Sequence, residues 1–586
     1  MKTSIKTAWN FKLFYSSIKD PQIEKDVQRM EKAYADFATK YKDTDSYTTD
    51  TAALLTAMCD YEQLENTATA LPIMYVHYMK DADSSNTQAD ALFNRLMSRY
   101  TNAGNKTLFF VLKLGKISKD NQKKLLADVQ LVDYQYYLKC IFNTAQYDLT
   151  EPEEKILSLL SQPSRNMWID SVEKILSKQS VKFRGKQLPL PEAFGIISAL
   201  PTKDRRKLHA DAMKEVKKVA EFAEAEINAV YTDKKVKDEL RGLKEPFDAT
   251  IIGYQNDPEH VKQLVATVTK YFTISQRFYK LKAKILKEKN LSYADRAAVT
   301  GKINMKFDFA SAKALTEKAF TDVDPKFGKM FNEFFEKGQV DVYPRKGKRG
   351  GAYCSSNTNT PTMVLLNHTD DIRSVTTLAH EFGHAFHAEL SKSQRPLYQG
   401  HTISVAEVAS TLFENFVFDA VYERLSEKEK IVALHNQIND DVSTIFRQIA
   451  CFNYENDLHK LIRTQGSTTH IEMAKLMNKH MQAYLGPVMK LEEDDGYFFV
   501  QWSHIRNFFY VYSYAYGQII SKALYAEYKN DKSFIKKIEQ FLKAGGSMSP
   551  YDIFKSIGID TAHPSFFESG LKQVEKDIKR LEKLVK

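Results

Sequence analysis

Apolar residues recur every three or four positions through most of this chain. From Ile23 to Tyr41, the residues Val27, Met30, Ala33, Tyr34 and Phe37 fall on one face of a helix. The same period runs through Asp50 to Leu64 and Ala89 to Tyr100, and through the longer stretches Lys203 to Val230 and Pro258 to Glu288. Residues 116–195 read as a smaller helical lobe. It ends in KQSVKFRGKQLPLPEAF, where a strand or hairpin and two prolines mark a boundary. The helical period stops at residues 338–368. Gly, Pro, Asn, Ser and Thr gather there around two β-prone runs, Val340 to Tyr343 and Thr362 to Leu366, which predict a small sheet with loops. Helices resume near Asp371. The pattern predicts a mainly α protein in three segments: 1–115, 116–195 and 196–586.

Composition agrees with helices. Among 586 residues there are 22 Gly and 16 Pro, too few for a turn-rich sandwich or barrel. The net charge of +10 comes from basic residues scattered beside acidic ones, and Arg345 to Arg349 is the one compact basic cluster. With no zinc knuckle and no RNA-recognition signature, a nucleic-acid partner is not expected. The four cysteines stand far apart and form no CxxC pair, which argues against a disulfide framework and for the cytoplasm. The opening MKTSIKTAWNFKLFYSS lacks an apolar signal core, and no segment approaches the ~20 apolar residues of a membrane span.

The chemistry lies in DIRSVTTLAHEFGHAFHAEL, residues 371–390, which contains His380-Glu381-Phe382-Gly383-His384. Residues four apart on an α-helix differ by only ~40° in azimuth and ~6 Å in height, so two histidines at that spacing can face one ion. An HExxH helix therefore predicts zinc, one per chain, with His380 and His384 as ligands. Glu381 lies ~100° round the helix, beside the water that the metal activates, where a general base belongs. Catalytic zinc needs a third protein ligand. His387 shares the face but sits ~10 Å beyond His380 on a straight helix, too far to share the ion. Glu407, in TISVAEVASTLFENF, is the next candidate. It reads equally well as the N3 partner of Ser404 in a capping box. Glu414, seven residues on, is placed to orient a histidine from behind.

These residues resemble the oligoendopeptidase F group of the thimet-like metallopeptidases. The likeness rests on HEFGHAFH (380–387), AEVAST (406–411), GKRGGAYC (347–354), His504 ahead of FFYVYSYAYG (508–517), FLKAGGSMSP (541–550) and WNFKLFY (9–15). It spans nearly the whole chain. It implies Glu407 as third ligand, a helical clamshell with a deep cleft, and endopeptidase action on short unstructured peptides. It also implies that Gly350, Gly351 and Ala352 bind substrate backbone, which the missing glycine side chains permit. The neighbouring strand Met363 to Leu366 could then pair with an extended peptide.

In the thimet-like relatives a histidine and downstream tyrosines stabilise the tetrahedral intermediate. His504 and Tyr516 match by spacing, and Tyr510 and Tyr514 stand as alternatives. The pattern departs from the relatives in two ways: Ser513 occupies the middle position, and the glycine-rich loop is missing. The partners expected are peptide substrates alone, with the chain a monomer or small homo-oligomer.

Overall fold

The computed structural model describes residues 5–586. Helices account for 71% of it. The helix Pro21–Tyr41 shows why they form where they do. Asp20 accepts a hydrogen bond from the Gln22 N–H and Pro21 opens the first turn, while Ile23, Val27, Met30, Phe37 and Tyr41 are buried along one stripe. The two long expected helices each divide. Lys203 to Val230 becomes Thr202–Lys217 and Ala220–Leu240, and Pro258 to Glu288 becomes Pro258–Lys270 and Phe272–Leu286. Each half keeps a buried stripe and no Gly or Pro marks either joint, so the apolar period runs straight through both bends.

Seven short strands occur among the described residues: β1 (Ser180–Phe183), β2 (Lys186–Pro189), β3 (Leu291–Ser292), β4 (Val340–Asp341), β5 (Tyr353–Ser355), β6 (Met363–Leu365) and β7 (Met489–Lys490). β1 and β2 make the hairpin, closed by Arg184 and Gly185 with φ of 47° and 81°, the left-handed pair of a type I′ turn. β3 pairs with β7 in parallel.

The chain divides into two compact units, each assembled from three stretches, rather than into the three consecutive segments expected. One unit comprises residues 1–146, 305–424 and 524–559, and the other residues 147–304, 425–523 and 560–586.

In the first unit an aromatic core backs the HExxH helix, which runs Ile372–Ser391. Phe331 meets Phe382 at 4.4 Å between ring centroids, Phe327 meets Phe413 at 4.8 Å, and Phe386 meets Phe413 at 5.0 Å. Each such ring, fully buried, contributes about 1.5–3 kcal/mol, so the helix is anchored on one side before any metal is considered. Beside it lies a three-stranded sheet in the order β4-β6-β5, with β4 parallel and β5 antiparallel to β6.

The basic cluster Arg345 to Arg349 is spent on this sheet. The Lys348 side chain is wholly buried, and its ammonium donates to Asp341 at 2.8 Å and to the Tyr343 and Leu366 carbonyls. Arg345 grips Asp341 with two hydrogen bonds, and Arg349 pairs with Asp81. Three of the four basic side chains of the cluster thus act as struts.

In the second unit buried ion pairs join residues far apart in sequence. Arg506 binds Glu226 through two 2.6 Å hydrogen bonds, and Arg205 meets Asp295 at 2.8 Å. All four cysteines are free thiols. Among the described residues no helix is long and apolar enough to cross a membrane.

Candidate active site

The HExxH helix starts at a capped end. Asp371 accepts from the Ser374 N–H at 2.7 Å and from its hydroxyl at 2.9 Å. Val375, Leu378, Phe382 and Phe386 are fully buried, which turns the 380–384 face towards the partner helix Ile403–Tyr422. The His380 and His384 rings lie 5.0 Å apart at 81°. The ligand atoms of His380, His384 and Glu407 all fall within 4.8 Å of one another, and no other three His, Cys, Asp or Glu side chains gather so among the described residues.

The His380 ring is held from both ends. Its Nδ1 lies 3.2 Å from Glu414 Oε2 and its Nε2 lies 3.6 Å from Glu407 Oε2. A carboxylate behind an imidazole fixes the tautomer and leaves the far nitrogen for a metal.

The partner helix runs back along the first because Gly383 lets it come close. A Cβ at Gly383 would stand 2.6 Å from the Ser410 Cα and 2.7 Å from the Ala409 carbonyl oxygen. Glycine inside a helix costs about 1 kcal/mol against alanine; here it permits the approach that brings Glu407 to the histidines. Ser404 is not the helix cap. The N-cap is Thr402, and Ser404 lies buried inside the first turn with its hydroxyl 3.0 Å from that of Thr402. Glu407 is therefore no capping residue. His387 is also accounted for: its ring stacks on His401 at 3.8 Å and 11°, buried, with both nitrogens lacking a polar partner.

Glu381 is 6% exposed. Burial foremost, aided by the nearby Glu407 charge, pushes its pKa up to about 7, against the pull of His380 and of a hydrogen bond from the Cys354 N–H. That hydrogen bond follows from strand alternation. The Val364 N–H donates to Gln339, towards β4, so the paired residue Cys354 turns its own N–H and C=O outward from β5. β6 is the central strand, flanked on both sides, and Met363 to Leu365 are fully buried. The expected strand for peptide pairing is thus closed, and on its edge neighbour β5 the outward Cys354 N–H is held by Glu381 while the carbonyl faces out.

Gly350 and Gly351 open into space, with no atom within 4 Å of an added Cβ, and Gly351 holds φ +79°. Ala352 follows them immediately before β5. Asn367 fastens this turn by donating to the Arg349 and Gly351 carbonyls at 2.9 and 2.7 Å.

His504 lies in the second unit, on the turn Ser503–Arg506. Arg506 pins that turn by donating to the Phe499, Val500 and Trp502 carbonyls. The His504 ring stacks on Trp502 at 5.3 Å and lies 5.2 Å from Tyr510 and 6.2 Å from Tyr514, and its Nδ1 has no hydrogen-bond partner. Burial, with the Arg447 charge, lowers its pKa and so favours the neutral ring. Tyr516 is not in this group. It is 3% exposed, packs 6.2 Å from Phe567, and its hydroxyl is bonded to Thr561. In place of the missing glycine-rich loop, Phe508 and Phe509 take φ of 46° and 61° in succession. Such backbone costs a side-chain-bearing residue ~1–2 kcal/mol. Tertiary contacts hold it there: the Phe509 N–H donates to buried Glu455 at 2.9 Å, and Thr250 donates to the Phe508 carbonyl at 2.9 Å.

The three gathered side chains fit a zinc ion. Two imidazoles and a carboxylate are a borderline-soft donor set, and bonds of ~2.0–2.1 Å in a tetrahedron put donors ~3.3–3.4 Å apart, close to the 3.6 Å between His380 and Glu407. Burial with the His380 charge drives the His384 pKa well below its usual value, which keeps that lone pair free. Burial would lower His380 too, but the Glu414 hydrogen bond and the charges of Glu414, Glu381 and Glu407 outweigh it and raise the pKa to about 9. The site attracts positive charge.

Sequence reasoning missed Gly383 and the Cys354 N–H. A glycine in the middle of a well-patterned helix was the available signal for the first. The second depends on strand register and has no local signature.

Comparison with known proteins adds the following. A model described as peptidase family M3 matches residues 203–573, more than half of the chain, and one described as oligopeptidase F matches residues 113–177. Oligopeptidase PepF of Bacillus subtilis is 27% identical over 528 residues, covering 87% of this chain and 78% of the relative. A solved chain from Chlamydophila abortus superposes with a TM-score of 0.87 at 21% identity, over 100% of this chain and 99% of the other. Oligoendopeptidase-F from Enterococcus faecium gives 0.68 at 17%, over 96% and 97%.

Proposed function

The chain belongs to peptidase family M3 and is a metallopeptidase of the oligoendopeptidase F kind; from that premise we propose that it is a zinc endopeptidase acting on short, extended peptides. The observation that carries the reading is the convergence of His380, His384 and Glu407, with the half-neutralised carboxyl of Glu381 on the same helix.

His380, His384 and Glu407 would hold the ion, and Glu414 fixes the His380 ring. When bound, zinc supplies a Lewis acid that polarises the scissile carbonyl and makes a water more acidic. Glu381 takes the proton of the attacking water and returns it to the departing amine, a task suited to a pKa near neutrality. The Cys354 N–H orients that carboxylate. On the edge of β5 the outward Cys354 carbonyl accepts from substrate backbone, its N–H being held by Glu381, and the open Gly350-Gly351-Ala352 turn leaves room for it. His504 with Tyr510 or Tyr514 donates to the carbonyl oxygen as it gains charge. The grouping of these three rings supports Tyr510 and Tyr514 over Tyr516.

Strand pairing requires extended substrate, so unstructured oligopeptides are cleaved and native globular proteins are not. The four free thiols support a cytoplasmic setting, with the chain a monomer or small homo-oligomer. The test is metal analysis of the purified protein beside Glu407→Ala, with peptide cleavage assayed before and after chelation. One zinc per chain, lost in Glu407→Ala, is expected. Full occupancy in that variant removes the third ligand, and chelator-resistant cleavage removes the metal.

A further inference from the structure

The motif Phe541–Pro550, FLKAGGSMSP, takes no part in the chemistry above. Yet its two glycines touch the connection between the ligand helices. We propose that Gly545 and Gly546 are positioning residues for Glu407, acting as a latch on residues 392–402, an inference that rests on Glu407 being the third zinc ligand.

The helix Ile535–Ala544 ends at Gly545, which holds φ 53° and ψ −129°. The Gly546 N–H donates to the Tyr398 carbonyl at 2.8 Å. A Cβ on Gly545 would stand 2.3 Å from that same oxygen, and a Cβ on Gly546 would stand 2.3 Å from the Gly400 carbonyl oxygen. A second tie lies at the start of the connection, where Gln394 donates to the Lys543 carbonyl at 2.8 Å. On its inner side His401 stacks on His387, whose ring lies 5.2 Å from Phe541. The connection is therefore clamped between the HExxH helix and the 541–546 segment.

The clamp matters because the partner helix does not fix its own start. Thr402 makes no side-chain cap hydrogen bond. Glu407 stands only five residues beyond Thr402, so residues 398–401 bear on the register of its carboxylate together with the helix packing at Gly383. Metal ligands tolerate displacements of only about 0.2 Å. A carbon–oxygen contact of 2.3 Å must open by about 1 Å to reach ordinary van der Waals separation. A single methyl at residue 546 is thus several times larger than the tolerance at the ion.

Gly546 separates this role from simple helix termination. Ending a helix accounts for a positive φ, as at Gly545. Gly546 has no left-handed φ, so its backbone suits any residue, and only the closeness of Gly400 demands glycine there.

The experiment is zinc affinity of the stripped, full-length protein, measured by chelator competition. Gly546→Ala is expected to weaken zinc at least ~10-fold, the scale of a mispositioned ligand shell, and excess zinc should restore most of its turnover. Placed on Glu407→Ala, the same substitution should weaken zinc no further. Gly558→Ala is the stability control, because Gly558 holds φ +88° but meets only the Lys537 ammonium. It should lower the melting temperature and leave zinc affinity unchanged. Gln394→Ala, a surface change that keeps the fold, should weaken zinc a few-fold. Wild-type zinc affinity in both Gly546→Ala and Gln394→Ala overturns the latch. An equal loss in Gly546→Ala and Gly558→Ala also overturns it, as a general stability effect. Absence of tight zinc in the wild type would instead sink the metal reading itself.

Discussion

His380 and His384 lie on one unbroken helix, whereas His504 and Tyr510 flank two consecutive residues in the left-handed region. On the helix, regular backbone alone aims both imidazoles, and the remaining work is to bring one carboxylate from a neighbour. Around His504 the backbone opposes its own conformation. It is kept in place by Glu455, Thr250 and the hydrogen bonds of Arg506, contributed by separate stretches of the second unit. A site built on regular structure depends mainly on its own residues. A site built on strain depends on groups that never meet a substrate.

The largest effect that would break this contrast is at Glu381. Glu381→Gln should cut turnover by ~10³–10⁴-fold, the upper range for a general base, while zinc content stays at the wild-type level. Turnover within tenfold of wild type would leave the helix with ligands and no base. Next comes His504→Ala, expected to lower kcat and kcat/KM alike by ~10²–10³-fold, as loss of an oxyanion donor does. Zinc content and melting temperature should hardly change, and Tyr516→Phe should keep near-normal turnover. A steep fall in melting temperature with normal turnover per folded molecule would make His504 a brace for the strained turn.

The smallest effect is a pH dependence of stability in the metal-free protein. Glu381 is raised from 4.5 to about 7, by burial foremost. At this group the native state therefore holds its proton where the unfolded chain has lost it, and the Glu381 contribution to stability falls as pH rises between those values, by about 3 kcal/mol. His380, raised from 6.5 to about 9, adds a second decline over that higher interval. His384, His401 and His435, their pKa values lowered by burial, contribute slopes of opposite sign below pH 6.5, so urea unfolding of chelator-treated protein is compared between variants: Glu381→Gln should gain stability relative to wild type as pH rises through the lower interval. Unchanged slopes in that variant would mean Glu381 ionises freely.

What could be read from residues alone follows the same contrast. The HExxH spacing is local, so the helix and the common face of His380 and His384 were legible. The helical character and the sheet at residues 338–368 were legible for the same reason. Glu407 was ambiguous because its partner is set by the approach of a second helix through Gly383, a tertiary fact. The choice of Met363 to Leu366 as the pairing strand failed because apolar content marks a strand as buried without saying which edge is open. Tyr516 matched by spacing, but a helix turns its residues through 100° each, and that rotation carries Tyr516 against Phe567 and away from His504.

The interleaving of the two units has a consequence for how the protein is made. The first unit, which holds His380, His384 and Glu407, needs residues 524–559, and the second needs residues 560–586. A ribosome adds roughly 5–20 residues each second, so a chain of 586 residues spends roughly half a minute to two minutes under synthesis. For about a quarter of that time the HExxH helix has been synthesised while Gly545 and Gly546 have not. The nascent chain therefore presents the HExxH helix before the segment that, on the latch proposed above, positions Glu407, and the first unit is complete only once residue 559 has been added.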